Sequence, residues 1–266
     1  MTSSPVPHLL DAMRARAPLV QCITNYVAMN PAANALLAAG ASPAMVHAPE
    51  EAAEFARLAD ALTINIGTLS APWLAAMTSA AEAARGADKP WVLDPVACFA
   101  TGFRRDAAAQ LLALRPTVVR GNASEILSLA GAVARGRGAD AGDAVATAEE
   151  AARRLGGARG TVVAVTGTVD FVTDGERALR IKGGSPLMAR VTALGCALTA
   201  LVGAFVAVER DALAATATAL ALFAAAGERA AATADGPGSF TAPFLDALAA
   251  IDQDGLAAGT RIASIG

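Results

Sequence analysis

The sequence predicts an α/β fold in which a central, mostly parallel sheet is flanked by helices on both faces as three layers. Short apolar strand patterns alternate with helical patterns along most of the chain. The strand patterns are unbroken apolar runs without a period of two, which is typical of parallel strands buried on both faces. With 266 residues, the chain can form one domain with a large core, and we expect a single domain over residues 1–266.

The elements follow from these patterns in chain order. The predicted strands are Leu19–Ile23, Ser42–Val46, Leu62–Ile66, Trp91–Leu93, Thr117–Val119 and Thr161–Val165, followed by a hairpin over Phe171–Ile181. The predicted helices are Ala32–Ala39, Pro49–Leu58, Pro72–Arg85, Arg105–Leu114, Asn122–Ala130, Val145–Leu155, a helix within Val191–Phe205, Leu213–Ala232 and Pro243–Ile251.

Caps and turns define some of the boundaries. Asn30 is expected to cap the first of these helices, with Pro31 in its first turn and Gly40 at its end. Ala132–Gly142 has little periodicity and is predicted to be a flexible surface loop. The N-terminal residues 1–17 and the C-terminal residues 252–266 are expected to be partly mobile.

Composition excludes several classes of function. The net charge is −3 and basic runs are absent, which argues against a nucleic-acid partner because phosphate neutralisation needs clustered Lys and Arg. The three cysteines lie far apart, without CxxC or Cys/His clusters, so neither a disulfide framework nor a zinc site is indicated. Reduced thiols fit a cytoplasmic protein, and the N-terminus lacks the pattern of a signal peptide.

Two uncharged runs, Val191–Val208 and Ala212–Gly227, raise the alternative of membrane spans. They are dominated by Ala, Gly and Thr and lack aromatic belts and arginine-rich flanks. We therefore favour a pair of buried helices without a membrane partner. Helices that are apolar nearly all round lie deep in a core or against another subunit.

Polar residues follow the predicted strands. Because ligands of parallel sheets bind beyond the carboxyl ends of the strands, these residues should meet at one edge. They are Thr24, Asn25, His47, Asn65, Thr68, Asp94, Arg120, Asn122 and Thr166. The lone His47 is expected to be structural or to line the pocket.

A small-residue turn ahead of a helix marks the centre of the predicted site. After Gly183–Pro186 the chain passes through Ala193, Leu194, Gly195 and Cys196 into the apolar helical pattern. The free N–H groups of a helix start and the positive end of its dipole attract an anion, and we expect a phosphoryl group to bind there. A thiolate of Cys196 would be favoured at this position. The alternative is a turn that serves packing alone.

Four further sets of residues fit phosphate chemistry. Arg120 stands at a strand end, where its planar guanidinium matches phosphate oxygens. Asp94 could hold Mg²⁺, accept a proton or cap a loop. Asn122 and Glu125 fit a helix capping box as well as a site. Thr166-Gly167, with Asp170, lies where a nucleotide could bind.

At this point the chain resembles the hydroxyethylthiazole kinase family, ribokinase-like enzymes of thiamine salvage, over about residues 18 to 250. The matching segments are QCITNYVAMNPAANALLAAGASPAMV, LTINIGTL, WVLDPVA, VVRGNASEI, VAVTGTVDFVTDG and GGSPLMARVTALGCALTALVGAF, in family order and spacing. The resemblance implies a ribokinase-like fold and an ATP- and Mg²⁺-dependent kinase of 4-methyl-5-(2-hydroxyethyl)thiazole. It also implies a homotrimer with sites at subunit interfaces.

The resemblance also implies roles for individual residues. The substrate would contact Met45, Asn25, Gly67, Thr68 and Ala193, with Met45 reaching a neighbouring subunit's site. ATP would bind at Arg120, Thr166, Asn122 and Gly167, and Mg²⁺ at Asp94 and Glu125. Cys196, with Gly195 beside it, would occupy the position of the catalytic base, which is an aspartate in most ribokinase-like kinases.

The anion turn departs from the pattern of the family, which often has Gly-Thr-Gly-Cys or Gly-Ala-Gly-Cys. Ala193 replaces a glycine, and it can keep a backbone contact without strain only if its φ is negative. Two alternatives remain open: a ribokinase-like kinase of another small alcohol, such as hydroxymethylpyrimidine, and a catalytically silent thiazole-binding protein.

Overall fold

The structure is a computed structural model that describes residues 7–131, 141–259 and 261–265. Its strands are β1 (Leu19–Ile23), β2 (Ser42–Ala44), β3 (Ala61–Asn65), β4 (Trp91–Asp94), β5 (Val118–Asn122), β6 (Val162–Thr166), β7 (Val169–Thr173), β8 (Ala178–Lys182) and β9 (Arg261–Ile265). Its helices are α1 (Pro7–Arg16), α2 (Met29–Ala39), α3 (Ala52–Leu58), α4 (Ala71–Gly86), α5 (Gly102–Ala113), α6 (Ala123–Leu129), α7 (Ala141–Arg159), α8 (Leu194–Val206), α9 (Ala212–Ala231), α10 (Pro237–Ala250) and α11 (Gln253–Gly259).

The strands form a nine-stranded sheet in the order β2-β1-β3-β4-β5-β6-β7-β8-β9. The pairs from β2 to β6 are parallel, and the pairs from β6 to β9 are antiparallel. Helices α1, α2, α8, α9 and α10 pack in a core on one face, and α3 to α7 pack in a core on the other. This confirms the predicted three-layer α/β fold with a mostly parallel sheet.

Helix α8 is the most deeply buried helix next to the site. All its residues except Gly195 and Cys196 are buried, and it contacts β1, β3 and β4. It lies close to the sheet because Gly203 lacks a side chain: a Cβ there would stand 2.5 Å from Thr63 Cγ2. In the described part of the chain, no helix has both the length and the apolar character needed to cross a membrane.

Several predicted boundaries are wrong. Helix α2 begins at Met29, and Asn30 is not its cap, because Asn25 closes a turn by accepting the Ala28 N–H at 3.0 Å and so starts the helix earlier. Helix α3 starts only at Ala52. Helix α10 starts at Pro237 and carries Pro243 in its interior. Of the predicted loop Ala132–Gly142, residues 132–140 lie outside the described residues, and the last two begin α7.

The two chain ends carry elements that the sequence analysis did not predict. Helix α1 buries Leu10 and Met13 in the core beside α8 and α9. Near the other end, β9 pairs antiparallel with β8 and lengthens the sheet by one strand. Helix α11 contributes Leu256 to the same core, so apolar burial reaches into both terminal segments.

The start of α8 is strained. Ala193 precedes the helix with φ 61° and ψ 5°, which is the left-handed region that favours glycine. A negative φ at Ala193 would have been free of strain, whereas the structure has the positive, strained value. An L-residue there costs roughly 1–2 kcal/mol.

We expect the Ala193→Gly substitution to leave the free energy of unfolding unchanged or to raise it by up to about 1 kcal/mol, because relief of strain outweighs the added freedom of the unfolded chain. The matched control is Ala249→Gly, on an exposed helical position of α10, which should lower it by about 1 kcal/mol. Urea unfolding of both variants measures the difference. Equal losses in the two variants would show that residue 193 is unstrained.

Candidate functional site

The polar residues at the carboxyl ends of the strands form a connected network. Asn25 Nδ2 donates to Asn65 Oδ1 at 2.9 Å, and Asn65 Nδ2 donates to Asp94 Oδ2 at 2.7 Å. Thr199 on α8 donates to the same Asp94 oxygen at 2.8 Å. Asn25 Nδ2 also lies 3.3 Å from Cys196 Sγ. Four separate segments therefore meet at this point, as the parallel topology predicts.

Gly67 supports the part of this network that contains Asn25 and Asn65. Its N–H donates to Asn65 Oδ1 at 2.9 Å, and a Cβ at this position would stand 2.6 Å from Asn25 Nδ2. The neighbouring Thr68 accepts the Tyr26 N–H at 3.2 Å. The loops after β1 and β3 are thus joined through backbone and side-chain hydrogen bonds, which fixes the position of Asn25.

Asp94 is a buried carboxylate with one unsatisfied oxygen. Its side chain is 1% exposed, and Oδ1 has no hydrogen-bond partner among the described residues. Burial raises the pKa of Asp94 to about 6, whereas Arg120 and the donors Thr199 and Asn65 act in the opposite direction. This free oxygen could bind a hard cation or accept a hydrogen bond from a ligand.

Arg120 joins the carboxylate to the start of α8. Its Nη1 lies 3.8 Å from Asp94 Oδ2, and its Nη2 donates to Thr166 Oγ1 at 2.7 Å. A Cβ on Gly195 would stand 3.0 Å from Arg120 Nη1, so the guanidinium lies directly on the first turn of α8. Glycine at position 195 is therefore what lets a cation approach the helix N-terminus this closely.

The first turn of α8 presents free donors. Within the part of the chain that the structure describes, the N–H groups of Leu194, Gly195 and Cys196 meet no acceptor. Because the positive end of the helix dipole coincides with these groups and with Arg120, an anion is favoured here. This is the geometry that the sequence predicted for the turn.

The surroundings of Cys196 act against the thiolate that its place at the helix start suggests. Burial raises the pKa of Cys196 above its usual value, and the nearby Asp94 raises it further, while Asn25 lowers it. A helix N-terminus stabilises a negative charge by about 0.3–1 kcal/mol, which is less than the several kcal/mol lost when an ion is taken out of water. These surroundings therefore favour the thiol form of Cys196 over the thiolate.

Asn122 and Glu125 form the capping box of α6. Asn122 Oδ1 accepts the Glu125 N–H at 3.0 Å, and Glu125 Oε2 accepts the Asn122 N–H at 2.8 Å. The other oxygen, Oε1, accepts the Ala97 N–H at 2.9 Å. Glu125 is buried and close enough to Asp94 to raise its pKa. The pair thus has a structural function and also lies beside the unsatisfied carboxylate.

A cavity of about 600 Å³ opens beside Arg120 and Gly195. Thr166, Gly167 and Asp170 line its polar part, and burial raises the pKa of Asp170 to about 6. Its apolar lining comes from α8, α9 and the segment before α8: Met188, Leu194, Leu198, Leu220, Phe223 and Ala224. The cavity thus combines an apolar wall with the anion-binding turn.

A second cavity, of about 680 Å³, lies at the opposite end of the sheet. Arg85, Lys89, Arg115 and Arg210 line it, close to where α4, α5 and α8 end. Basic side chains at helix C-termini complement the negative end of the dipole. Carbonyl groups of helix ends face this second cavity, and the negative end of the helix dipole disfavours an anion there. We therefore place the functional site at the carboxyl ends of the strands.

Two predicted positions lie apart from the network. Met45 follows the edge strand β2 and packs against the core that contains α8, and His47 Nδ1 lies 3.1 Å from its carbonyl oxygen. The His47 ring packs 4.8 Å from the Trp73 ring, in agreement with a structural or pocket-lining position.

Gly167 donates its N–H to Asp170 Oδ1 at 2.9 Å at the mouth of the cavity.

Sequence reasoning missed Thr199 and Arg104. Thr199 follows Cys196 by one helical turn, and that spacing could have indicated that both face the site. Arg104 donates from the first turn of α5 to carbonyl oxygens of the loops after β3 and β4. No local sequence pattern indicated that contact.

Comparisons with known proteins agree with this geometry. The sequence model described as the hydroxyethylthiazole kinase family matches residues 10–254. A hydroxyethylthiazole kinase of Rhizobium rhizogenes is 65% identical over 258 residues, covering 97% of this chain and 96% of that protein. One of Cereibacter sphaeroides is 64% identical over 253 residues, covering 95% and 96%.

Solved structures give the same result for the fold. The hydroxyethylthiazole kinase protein of Pyrococcus horikoshii OT3 superposes with a TM-score of 0.91 at 41% identity, covering 98% of this chain and 99% of that one. The pyridoxal kinase of Staphylococcus aureus in complex with AMP-PCP shares the fold, with a TM-score of 0.65 at 18% identity, over 93% and 99% of the chains. The fold is thus ribokinase-like, and this chain belongs to the hydroxyethylthiazole kinase family.

Proposed function

We propose that this protein transfers the γ-phosphoryl group of ATP to the primary hydroxyl of 4-methyl-5-(2-hydroxyethyl)thiazole, and that residues 1–266 act as a single kinase domain. The observation that carries the proposal is the first turn of α8, where free N–H groups lie against Arg120 and Cys196. These groups would bind the migrating phosphoryl group, while the apolar cavity accepts the nucleotide.

The strand ends on either side would hold the two substrates. Arg120, Thr166, Asn122 and Gly167 would bind ATP, since Arg120 and Thr166 are hydrogen-bonded beside the cavity. Asn25, Gly67, Thr68 and Ala193 would contact the thiazole alcohol, since Asn25 links Gly67 and Cys196. The reacting hydroxyl would then lie between the Asn25 network and the start of α8.

Mg²⁺ fits the residues beside the cavity. Asp94 offers an unsatisfied buried oxygen, and Glu125 lies near it with both oxygens already bonded to N–H groups. No group of three His, Cys, Asp or Glu side chains suited to a metal exists in the described ranges. This is the pattern expected for Mg²⁺, which binds through one or two carboxylates together with substrate phosphates. When bound, it would neutralise charge on the phosphates.

Cys196 would take the proton of the substrate hydroxyl late in the transfer. A neutral thiol cannot accept a proton, so the minor thiolate form of Cys196 would do so and become the thiol. Phosphoryl transfer is largely dissociative, so a strong base is not needed. Asn25, which lies 3.3 Å from Sγ, would orient the thiol toward the substrate.

A homotrimer in which Met45 reaches a neighbour's site needs a subunit interface, and exposed apolar residues support one. Tyr26, Val27, Leu37 and Phe103 are all large and between 46% and 67% exposed. An exposed apolar surface of this kind is typical of a subunit interface. Sedimentation equilibrium should give three times the chain mass of 26.5 kDa; a monomer would contradict the proposed assembly.

The three free thiols fit a cytoplasmic protein.

The function is tested by measuring ADP release from Mg-ATP with a panel of small alcohols. We expect release with the hydroxyethylthiazole alcohol at a kcat/KM well above that with hydroxymethylpyrimidine. A preference for the pyrimidine would favour the other kinase. Release with neither alcohol, together with calorimetric binding of the thiazole, would favour the silent binding protein.

We expect the Gly195→Ala substitution to raise the KM for ATP by about tenfold, because its Cβ would push the Arg120 guanidinium away from Thr166. The matched control is Gly157→Ala on α7, where an added Cβ meets nothing within 4 Å. Steady-state kinetics compares the two. An unchanged KM for ATP in Gly195→Ala would mean that Arg120 does not bind the nucleotide.

We expect the Cys196→Ala substitution to lower kcat by about 10²-fold, the lower range for general acid–base catalysis. Cys196→Asp should retain or raise kcat, because a carboxylate can take the same proton. Both are measured by steady-state turnover with saturating substrates. A large loss in the Asp variant would indicate a packing or substrate-orienting role for Cys196.

A further inference from the structure

Arg104 makes an unusual set of contacts with the backbone. Its Nη1 donates to Ile66 O at 2.7 Å and to Val96 O at 2.9 Å, and its Nη2 donates to Gly67 O at 2.5 Å. Two of these carbonyl groups belong to the loop after β3, and the third belongs to the loop after β4. One guanidinium therefore joins two neighbouring strand-end loops.

Each loop carries a different half of the site. In the loop after β3, Gly67 donates its N–H to Asn65 Oδ1 and leaves the space that Asn25 occupies. In the loop after β4, Ala97 follows Val96 directly and donates its N–H to Glu125 Oε1 at 2.9 Å. In the proposed function the first loop would face the thiazole alcohol, and the second loop contacts the carboxylate of Glu125, so Arg104 contacts the backbone of both.

The loop after β4 needs external support. Ala97 has φ 51°, in the left-handed region, and such a conformation persists only where surrounding contacts over-determine it. Arg104 supplies such a contact at the residue before it. Its planar fork, with several fixed donors, can serve three carbonyl groups in fixed directions, which a lysine ammonium on a flexible stem cannot.

We propose that Arg104 is a positioning residue that sets the separation between the loop after β3 and the loop after β4, without touching either substrate. This inference rests on the proposed function. Displacing a reacting group by a fraction of an ångström is enough to slow a reaction that depends on alignment. Arg104 thus acts on the reaction through Gly67 and, by way of it, Asn25.

The test compares Arg104→Lys with Arg105→Lys. Both variants keep the charge, but Arg105 is exposed and, among the described residues, donates only to Phe99 O, at 3.1 Å. We expect Arg104→Lys to lower kcat/KM for the thiazole alcohol by about tenfold and to change the KM for ATP by less than about twofold. Arg105→Lys should change neither by more than about twofold. An unchanged kcat/KM for the alcohol in Arg104→Lys overturns the proposal.

Amide hydrogen exchange in the protein without substrates gives a second readout that does not require activity. The amides of Gly67 and Ala97 should exchange faster in Arg104→Lys and as in the parent protein in Arg105→Lys. Unchanged exchange overturns the proposal, even if the protein phosphorylates no alcohol and the proposed function itself has failed. If Arg104→Lys does not fold, the neutral Arg104→Gln is measured in the same way.

Discussion

The side-chain amide of Asn65 is the junction on which the site depends. Its oxygen accepts hydrogen bonds from Asn25 and from the Gly67 N–H, and its nitrogen donates to Asp94. All these groups are buried or partly buried, where an unpaired donor or acceptor costs more than a hydrogen bond contributes. The loops after three neighbouring strands are consequently fixed relative to one another. That rigidity lets the start of α8 meet them at a constant distance.

The same network explains the electrostatics of the site. Asp94 lies out of water, where burial works against its charge, and Arg120 and the two donors only partly offset that effect. Burial and, after it, the negative charge of Asp94 raise the pKa of the neighbouring Cys196. Positive potential is concentrated instead at the first turn of α8, where Arg120 and the free N–H groups coincide. The positive potential and the buried negative charge therefore lie on adjacent but different groups.

Much of this could be predicted from sequence because parallel topology places strand ends side by side. Asn25, Asp94, Arg120 and Cys196 were expected at one edge, and they are connected there. The protonation state of Cys196 could not be predicted, because it depends on how deeply the helix start is buried. The contacts of Arg104 could not be predicted, because its partners are backbone carbonyl groups, which every residue type has. Strand β9 was missed since its pairing with β8 depends on tertiary contacts.

Gly203 links the packing of the core to the position of the first turn of α8. It lets α8 rest against Thr63 on the sheet, two turns away from Cys196. Because a helix moves as a stiff rod, a methyl group at this contact would tilt the whole element and carry its amino end with it. The position of the first turn of α8 is therefore set in part by a residue that is buried between the helix and the sheet. Selection for catalysis in this chain should extend into its interior, where it would be mistaken for selection on packing alone.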